Sequence, residues 1–261
     1  MTLGEAAILG LVQGLSEFLP ISSSAHLVLF EQWLGIGSAD LVFEIAVHAG
    51  TLLSILVYFR KHLWEYTTAL FGHGETQAEI STARRELLLI VIGSIPAAII
   101  GVLFKDELEA MFNDPVSTAI QLVITGVILL STLLRKPGVK DVTIPSSWWI
   151  GVAQAVAIIP GISRSGSTIA TGLWAGIRPA RVAEFSFILS IPAVAGAILL
   201  TIPNAWGSGR LGLPHLLGAA VAAVSGYAAL RMVFAFLRGG RFAFFGVYCI
   251  IVGALAAIFL R

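Results

Sequence analysis

Long apolar stretches make up most of the chain, and six of them contain no Asp, Glu, Lys or Arg. They cover residues 87–104, 115–134, 144–163, 185–209, 211–230 and 242–260. The stretch 41–59 is of the same type but contains Glu44 and His48. Because a helix needs about 20 apolar residues to cross the hydrocarbon core of a bilayer, these stretches are candidates for membrane-spanning helices.

Two apolar regions are interrupted and do not fit a simple span. Residues 3–36 are broken by Pro20 and a run of serines, and residues 146–177 are broken by Pro160, Gly161 and a second serine-rich run. Breaks of this kind release backbone groups that lipid cannot satisfy, so they occur where protein or a polar cavity surrounds them. We therefore expect each region to be a helix–loop–helix hairpin that enters the membrane and turns back.

The two interrupted regions resemble each other when one is shifted by 141 residues. The identical positions are Gly10 and Gly151, Gln13 and Gln154, Ile21 and Ile162, Ser22 and Ser163, and Ser24 and Ser165. Three apolar stretches follow each region, which places the two hairpins on opposite sides of the membrane. The sequence thus predicts an all-α polytopic membrane protein, a single integral membrane domain over 1–261. We expect an inverted-topology repeat, with halves of about 1–138 and 146–261 that each hold a re-entrant hairpin and three transmembrane helices.

Composition supports the membrane assignment and positive charge gives the orientation. The chain is 57% hydrophobic and 12% charged, against roughly 25% charged residues in soluble domains. This excludes an ordinary soluble or disordered protein. The net charge of +1 is uninformative as a total, and no basic face for nucleic acid is indicated. Twelve of the sixteen Lys and Arg residues fall in the segments 60–86, 135–147, 178–184 and 231–241. The positive-inside rule assigns these segments to the cytoplasm and both termini to the outside.

Each hairpin contains one lone charged residue. Glu17 is the only charge between Glu5 and Glu31, and Arg164 is the only charge between Asp141 and Arg178. A charge at membrane depth is costly, and it usually faces a polar cavity or a partner at a functional site. The alternative is that Glu17 and Arg164 form a purely structural pair between the hairpins.

The first hairpin has a sequence suited to nucleophilic chemistry. Pro20 ends the first helix, Ser22 is a natural N-cap for the next helix, and Ser22 and Ser23 stand four and three residues before His26. A serine or histidine nucleophile beside a base is what covalent catalysis requires. A plain helix start with three serines, Ser22 to Ser24, gives the same pattern, so spacing alone leaves both interpretations open.

The second hairpin has a sequence suited to an anion. Gly161 permits close backbone approach, Ser163, Ser165 and Thr168 supply hydroxyls, and Arg164 supplies a forked cation that matches phosphate oxygens. The loop also opens a helix whose free N–H groups favour negative charge. Packing by small residues would explain the glycine but not the arginine.

Two segments together resemble a known family. QGLSEFLPISSSAH (13–26) and PGISRSGSTIATG (160–172) closely resemble the signature segments of the bacterial undecaprenyl-diphosphate phosphatases, the type linked to bacitracin resistance. The likeness extends over essentially the whole chain. It implies a hydrolase of the cytoplasmic (inner) membrane that converts undecaprenyl diphosphate to undecaprenyl phosphate and inorganic phosphate, recycling the lipid carrier of peptidoglycan synthesis.

The resemblance also implies roles for particular residues. The essential acid of the family falls on Glu17, its motif serines on Ser22 and Ser23, its histidine on His26, and its arginine on Arg164. The segments that match the motifs add the binding residues Gln13, Ser24, Gly161, Ser163, Ser165 and Thr168. Ser23 is the first choice of nucleophile, with His26 as its base or as an alternative nucleophile. Glu17 is expected to bind a divalent ion, to orient His26 or to act as the base.

Several expectations about ligands and partners follow. Mg²⁺ or Ca²⁺ is the expected cofactor, with Glu17 as an oxygen ligand. Some members of the family carry a second Glu where this chain has Gln13, which offers at most a neutral ligand. The diphosphate is expected to enter from the outer, periplasmic face while its isoprenoid tail stays in lipid. The protein is also a candidate homodimer. The rival function is a transporter or flippase for an anionic lipid or small anion, since inverted repeats with broken helices are typical of transporters.

Overall fold

The computed structural model describes residues 1–36, 41–74, 76–111, 114–135, 138–205 and 211–260. These residues form helices and turns, with no strand beyond an isolated bridge between Lys140 and Ile177. The α-helices in the described ranges are α1 (Leu3–Phe18), α2 (Ser23–Trp33), α3 (Leu41–Tyr58), α4 (Arg60–Leu70), α5 (Gln77–Leu103), α6 (Lys105–Met111), α7 (Pro115–Ser131), α8 (Ile144–Val156), α9 (Arg164–Trp174), α10 (Pro179–Ala205), α11 (Leu213–Arg238) and α12 (Phe244–Phe259). A 3₁₀ turn, Thr132–Leu134, extends α7.

Five of these helices are long and apolar enough to cross a membrane: α3, α5, α7 with its 3₁₀ turn, α10 and α11. The sixth predicted span is α12, which is apolar but shorter at 16 residues. The prediction of an all-α, multi-pass membrane protein is confirmed.

Helix α5 begins ten residues before the apolar stretch that predicted it. Its N-terminus is fixed at Thr76 by a capping box with Glu79, so the polar residues 77–86 are helical and not part of a loop. The preceding residues Arg60–Leu70 form α4, so helices make up most of the segment 60–86 that the positive charges assign to the cytoplasm. Helix α5 begins earlier than its apolar stretch because a charge-free stretch marks only the lipid-facing part of a helix. The part of the helix that continues into water contains charged residues.

The two interrupted regions are helix–loop–helix hairpins, as predicted. The first breaks between Phe18 and Ser23, and the second breaks between Val156 and Arg164. Helices α2 and α9 have 11 residues each, which at 1.5 Å per residue is about 17 Å, roughly half of a bilayer core. Neither helix can cross a membrane alone, and approach of the hairpins from opposite faces stays a prediction.

Close glycine contacts position the first helix of each hairpin. A Cβ atom on Gly10 of α1 would lie 2.4 Å from the carbonyl oxygen of Gly218 on α11, and a Cβ atom on Gly151 of α8 would lie 2.2 Å from that of Gly93 on α5. Small residues at such crossings allow backbones to touch. Each hairpin therefore packs on a helix from the other half of the chain, while the inverted repeat with halves 1–138 and 146–261 stays a prediction.

A group of charged residues links α5, α10 and the segment before α8. Arg181 on α10 pairs with Glu86 on α5 and, at 2.9 Å, with Asp141 in the segment before α8. Arg178 adds a second contact with Asp141 at 3.2 Å. Residues counted above as parts of cytoplasmic segments thus form an interhelical ion network.

Candidate active site

The tips of the two hairpins meet at an ion pair. Glu17, in the last turn of α1, accepts a hydrogen bond from Nη2 of Arg164, the first residue of α9, at 2.7 Å. The two side chains are only 9% and 14% exposed. The lone charges of the two hairpins, 147 residues apart in sequence, are therefore each other's partners.

The first hairpin turns sharply between its two helices. Leu19 ends α1 in an extended conformation, and the Ile21 N–H donates to its carbonyl at 2.7 Å. Ser22 then adopts φ = +67°, a left-handed value that is uncommon for a residue with a side chain, and its hydroxyl caps α2 at the Ala25 N–H. Strain of this kind is typical of functional sites, and here the turn brings Ser23 back to the end of α1.

The carboxylate of Glu17 accepts hydrogen bonds from two residues besides Arg164. Its second oxygen accepts a hydrogen bond from the Ser23 hydroxyl at 2.8 Å and another from Nε2 of Gln13 at 3.2 Å. One carboxylate thus joins the predicted nucleophile and the predicted phosphate-binding cation. The Ser23 hydroxyl hydrogen points at Glu17, which is the geometry of a hydroxyl beside a base.

The second hairpin tip is built around a glycine that has no room for a side chain. Gly161 has φ = +90°, and a Cβ atom there would lie 2.2 Å from the carbonyl oxygen of Thr118. The Thr125 hydroxyl donates to the Gly161 carbonyl at 2.9 Å and accepts from the Ser163 N–H at 3.0 Å. Ser163 in turn caps α9 at the Gly166 N–H. These contacts fix the start of α9 and hence the base of Arg164.

Two predicted binding serines connect one hairpin to the other. Ser24 accepts a hydrogen bond from the Gly161 N–H at 3.1 Å, and Ser165 donates to the Leu19 carbonyl at 3.3 Å. Thr168 is directed elsewhere, because its hydroxyl bonds the Arg164 carbonyl within α9 and the Ser186 hydroxyl on α10. These side chains hold the tips together, and direct contact between them and a ligand stays a prediction.

Two polar atoms beside the ion pair have no hydrogen-bond partner in the described structure. They are Oε1 of Gln13 and Nη1 of Arg164, both buried. Buried polar atoms in native proteins are almost always satisfied by protein, water or a ligand. An amide oxygen and a guanidinium N–H that flank one carboxylate can receive a hard cation and an anionic oxygen, respectively.

The site contains oxygen atoms of the type that a divalent cation binds, although both Glu17 oxygens already accept hydrogen bonds. Gln13 and Glu17 offer an amide and a carboxylate oxygen, the ligand types that Mg²⁺ and Ca²⁺ prefer. Within the described ranges, no cluster of three or more His, Cys, Asp and Glu side chains forms a complete cage. A cation here would therefore need water or substrate oxygens to complete its coordination.

His26 is separated from Ser23 by its own hydrogen bonds. Its Nδ1 lies 2.9 Å from the Ser22 carbonyl, and its Nε2 lies 2.8 Å from the hydroxyl of Tyr248 on α12. The two rings are nearly parallel, with centroids 5.6 Å apart. The spacing of Ser23 and His26 predicted one face and a shared role, but the structure directs Ser23 to Glu17 and His26 to α12.

Sequence reasoning missed Tyr248 and the hydroxyls of Thr125 and Ser186. All three lie inside apolar stretches without a charge or a motif to mark them. The one available signal was a tyrosine hydroxyl within a charge-free span, which needs a polar partner when it is not at the membrane surface.

Helices that cross a bilayer and two half-length hairpins that meet at a buried Arg–carboxylate pair define a polytopic membrane protein with a polar site inside the helical bundle. The chain belongs to the family described as Bacitracin resistance protein BacA, which matches residues 6–255.

Curated relatives match the chain over nearly its whole length. An undecaprenyl-diphosphatase from Desulfosudis oleivorans is 41% identical over an alignment of 263 positions, which covers 96% of each chain. A protein of the same name from Acaryochloris marina is 41% identical, covering 99% of this chain and 98% of its own. One from Moorella thermoacetica is 37% identical with full coverage of both chains.

Proposed function

We propose that this protein is an undecaprenyl-diphosphatase. It hydrolyses undecaprenyl diphosphate to undecaprenyl phosphate and inorganic phosphate, and so recycles the lipid carrier for peptidoglycan synthesis. Family membership and the names of the relatives support this function. The observation that carries the chemistry is the single Glu17 carboxylate that binds both Ser23 and Arg164.

Arg164 is the proposed phosphate clamp. Its Nη2 holds Glu17, and its buried Nη1 has no protein partner in the described structure, so a phosphate oxygen can complete its hydrogen bonds. Phosphoryl transfer depends mainly on stabilising charge on the phosphoryl oxygens, and a guanidinium in a poorly solvated site does this strongly. When Arg164 turns toward phosphate, Glu17 loses part of its counter-charge and becomes a stronger base.

Ser23 is the proposed nucleophile and Glu17 its base. The Ser23 oxygen attacks the terminal phosphorus, its proton passes to Glu17, and the bond between that phosphorus and the bridging oxygen breaks to release undecaprenyl phosphate. Water then attacks the phosphoserine. Ser23 leaves with the proton held by Glu17, the proton of the water passes to His26, and inorganic phosphate is released.

Gln13 and Glu17 are the residues that would hold a divalent cation, Mg²⁺ or Ca²⁺. Such an ion would offset negative charge on the phosphate oxygens. The unpartnered Oε1 of Gln13 supports this assignment. Since Gln13 is neutral, the protein side contributes a single negative charge, and the substrate phosphates would supply the remaining ones.

The proposed location is the bacterial inner membrane, with the site open to the periplasmic face. The positive-inside distribution of Lys and Arg supports this orientation. An impermeant thiol reagent should label a cysteine placed at Asp114 and leave one placed at Arg84 unlabelled. Labelling at position 84 and not at position 114 would show that the protein has the opposite orientation in the membrane. The homodimer stays a prediction.

The test of function is phosphate release by purified protein in detergent or vesicles. Arg164→Ala should lower kcat/KM by roughly 10²-fold or more, since one charge-stabilising donor is typically worth that much. The matched control is Arg60→Ala, which removes an exposed arginine whose guanidinium donates to the Val57 carbonyl three residues earlier.

Two results would contradict the proposal. Full activity of Arg164→Ala would show that Arg164 is not the phosphate clamp. Absence of phosphate release from the unaltered protein, with transport of an anionic lipid across vesicles, would favour the transporter function instead. Arg164→Lys separates charge from geometry, because lysine retains the charge but lacks the fork.

A further inference from the structure

Both ring nitrogens of His26 are occupied by protein. The Ser22 carbonyl can only accept, so Nδ1 must carry a hydrogen and donate to it at 2.9 Å. In the neutral ring, Nε2 then holds the lone pair and accepts a hydrogen bond from the Tyr248 hydroxyl at 2.8 Å. Because the nitrogen that can take a proton faces Tyr248, a proton that reaches Nε2 of His26 passes through the Tyr248 hydroxyl.

Burial reinforces this arrangement. His26 is 6% exposed, whereas Tyr248 is 42% exposed. The phenol oxygen uses its hydrogen toward His26, and its lone pairs stay free to accept a hydrogen bond. The Tyr248 oxygen can therefore accept a proton from a water molecule while its own hydrogen stays directed at His26.

Tyr248 also lies beside the hairpin that carries the proposed nucleophile. The next residue, Cys249, contacts the carbonyl of Pro20 with its sulfur at 3.6 Å. Pro20 is three residues before Ser23, in the turn between α1 and α2. Helix α12 therefore touches the first hairpin at two places, through Cys249 at Pro20 and through the near-parallel rings of His26 and Tyr248.

We propose that Tyr248 is a catalytic residue that relays the proton between water and His26 when the phosphoserine is hydrolysed. The attacking water gives its proton to the Tyr248 oxygen while the Tyr248 hydrogen passes to Nε2 of His26, so the tyrosine is unchanged and the imidazole becomes cationic. The reverse transfer restores both residues after phosphate leaves. This inference rests on the proposed role of His26 in the second step.

The test compares Tyr248→Phe with the unaltered protein. Phenylalanine keeps the ring packed on His26 and removes only the hydroxyl, so the melting temperature should not change. We expect kcat to fall by roughly 10²-fold, the low end for general acid–base catalysis, with KM within about twofold because binding is untouched. Phosphoserine at Ser23 should accumulate in acid-quenched samples, detected by mass spectrometry, because the slowed step follows its formation.

Two further variants, Tyr227→Phe and His26→Gln, serve as controls for Tyr248→Phe. Tyr227→Phe, which removes a hydroxyl from α11 at a ring contact with Tyr58, should leave kcat unchanged. Unchanged kcat in Tyr248→Phe overturns the relay, as does a raised KM at constant kcat or a lowered kcat without phosphoserine. His26→Gln run in parallel separates the two proposals: if His26→Gln is impaired and Tyr248→Phe is not, only the relay fails. If His26→Gln is fully active, the role of His26 fails.

Discussion

Breaking the Glu17–Arg164 pair should affect folding and activity in different ways. Both side chains are nearly buried, at 9% and 14% exposed, and their charged atoms are 2.7 Å apart. Removing one partner of a buried pair leaves an uncompensated charge and typically costs about 3–5 kcal/mol. Glu17→Gln and Arg164→Met should each lower the free energy of unfolding by an amount in this range.

The double variant should recover much of that loss. Glu17→Gln with Arg164→Met leaves no charge at the hairpin tips, and neutral replacements of similar volume are often tolerated in place of a buried ion pair. We expect the double variant to be more stable than the sum of the single changes predicts, by about 2 kcal/mol or more. Phosphate release should nevertheless be absent, because the clamp and the base are both gone.

The assay is reversible unfolding in bicelles for the four proteins of the cycle, with phosphate release measured on the same samples. The matched control is the exposed pair Arg178 and Asp141, at 56% and 45% exposed, whose coupling should be below about 1 kcal/mol. If the two single losses in free energy of unfolding add up to the loss in the double variant within about 0.5 kcal/mol, the stabilities of the two charges do not depend on each other and the reasoning is refuted. Recovery of activity in the double variant would refute their chemical role.

Three further predictions concern the frame around the site. Gly161→Ala should cost about 1–3 kcal/mol of stability from backbone strain alone, and more from collision with Thr118, and it should lower kcat; a stable, fully active variant would contradict this. Gly151→Val should separate α8 from α5 at Gly93 and lower the melting temperature, whereas normal melting would show that the 2.2 Å approach is not required. The pKa of Asp141 is lowered, because its hydrogen bonds and arginine neighbours outweigh the opposing effect of burial. Asp141→Asn should therefore destabilise the protein slightly at pH 7. The difference should shrink as pH falls below about 4 and vanish below the lowered pKa of Asp141; a difference that grows in acid would contradict the sign.

Much of the scaffold was predictable because lipid restricts what a chain can do. Prolines and glycines inside apolar stretches have few permitted structures, so the breaks near Pro20 and Pro160 were correctly identified as hairpin turns. The meeting of Glu17 with Arg164 was also predictable, since each hairpin has one charge and a charge in a bilayer needs a partner.

The finer arrangement of the site was not predictable. The spacing of Ser23 and His26 is the same whether they share a role or diverge, and the choice depends on the strained turn at Ser22 and on what α12 offers. Tyr248 is 222 residues from His26 in sequence, and the pattern of apolar residues does not predict contacts between residues so far apart. The hydroxyl of Thr168 was assigned to ligand, yet the short distance to Ser186 became visible only when α9 was packed against α10.

The exchange of packing partners between the halves has a consequence for synthesis. Gly10 on α1 meets its partner only when α11 is made, more than two hundred residues later, whereas Gly151 on α8 finds α5 already present. The first hairpin therefore cannot make this contact until the ribosome has passed residue 218. A nascent chain halted before residue 213 therefore contains both hairpin motifs but lacks α11, on which α1 packs, and α12, which supplies Tyr248.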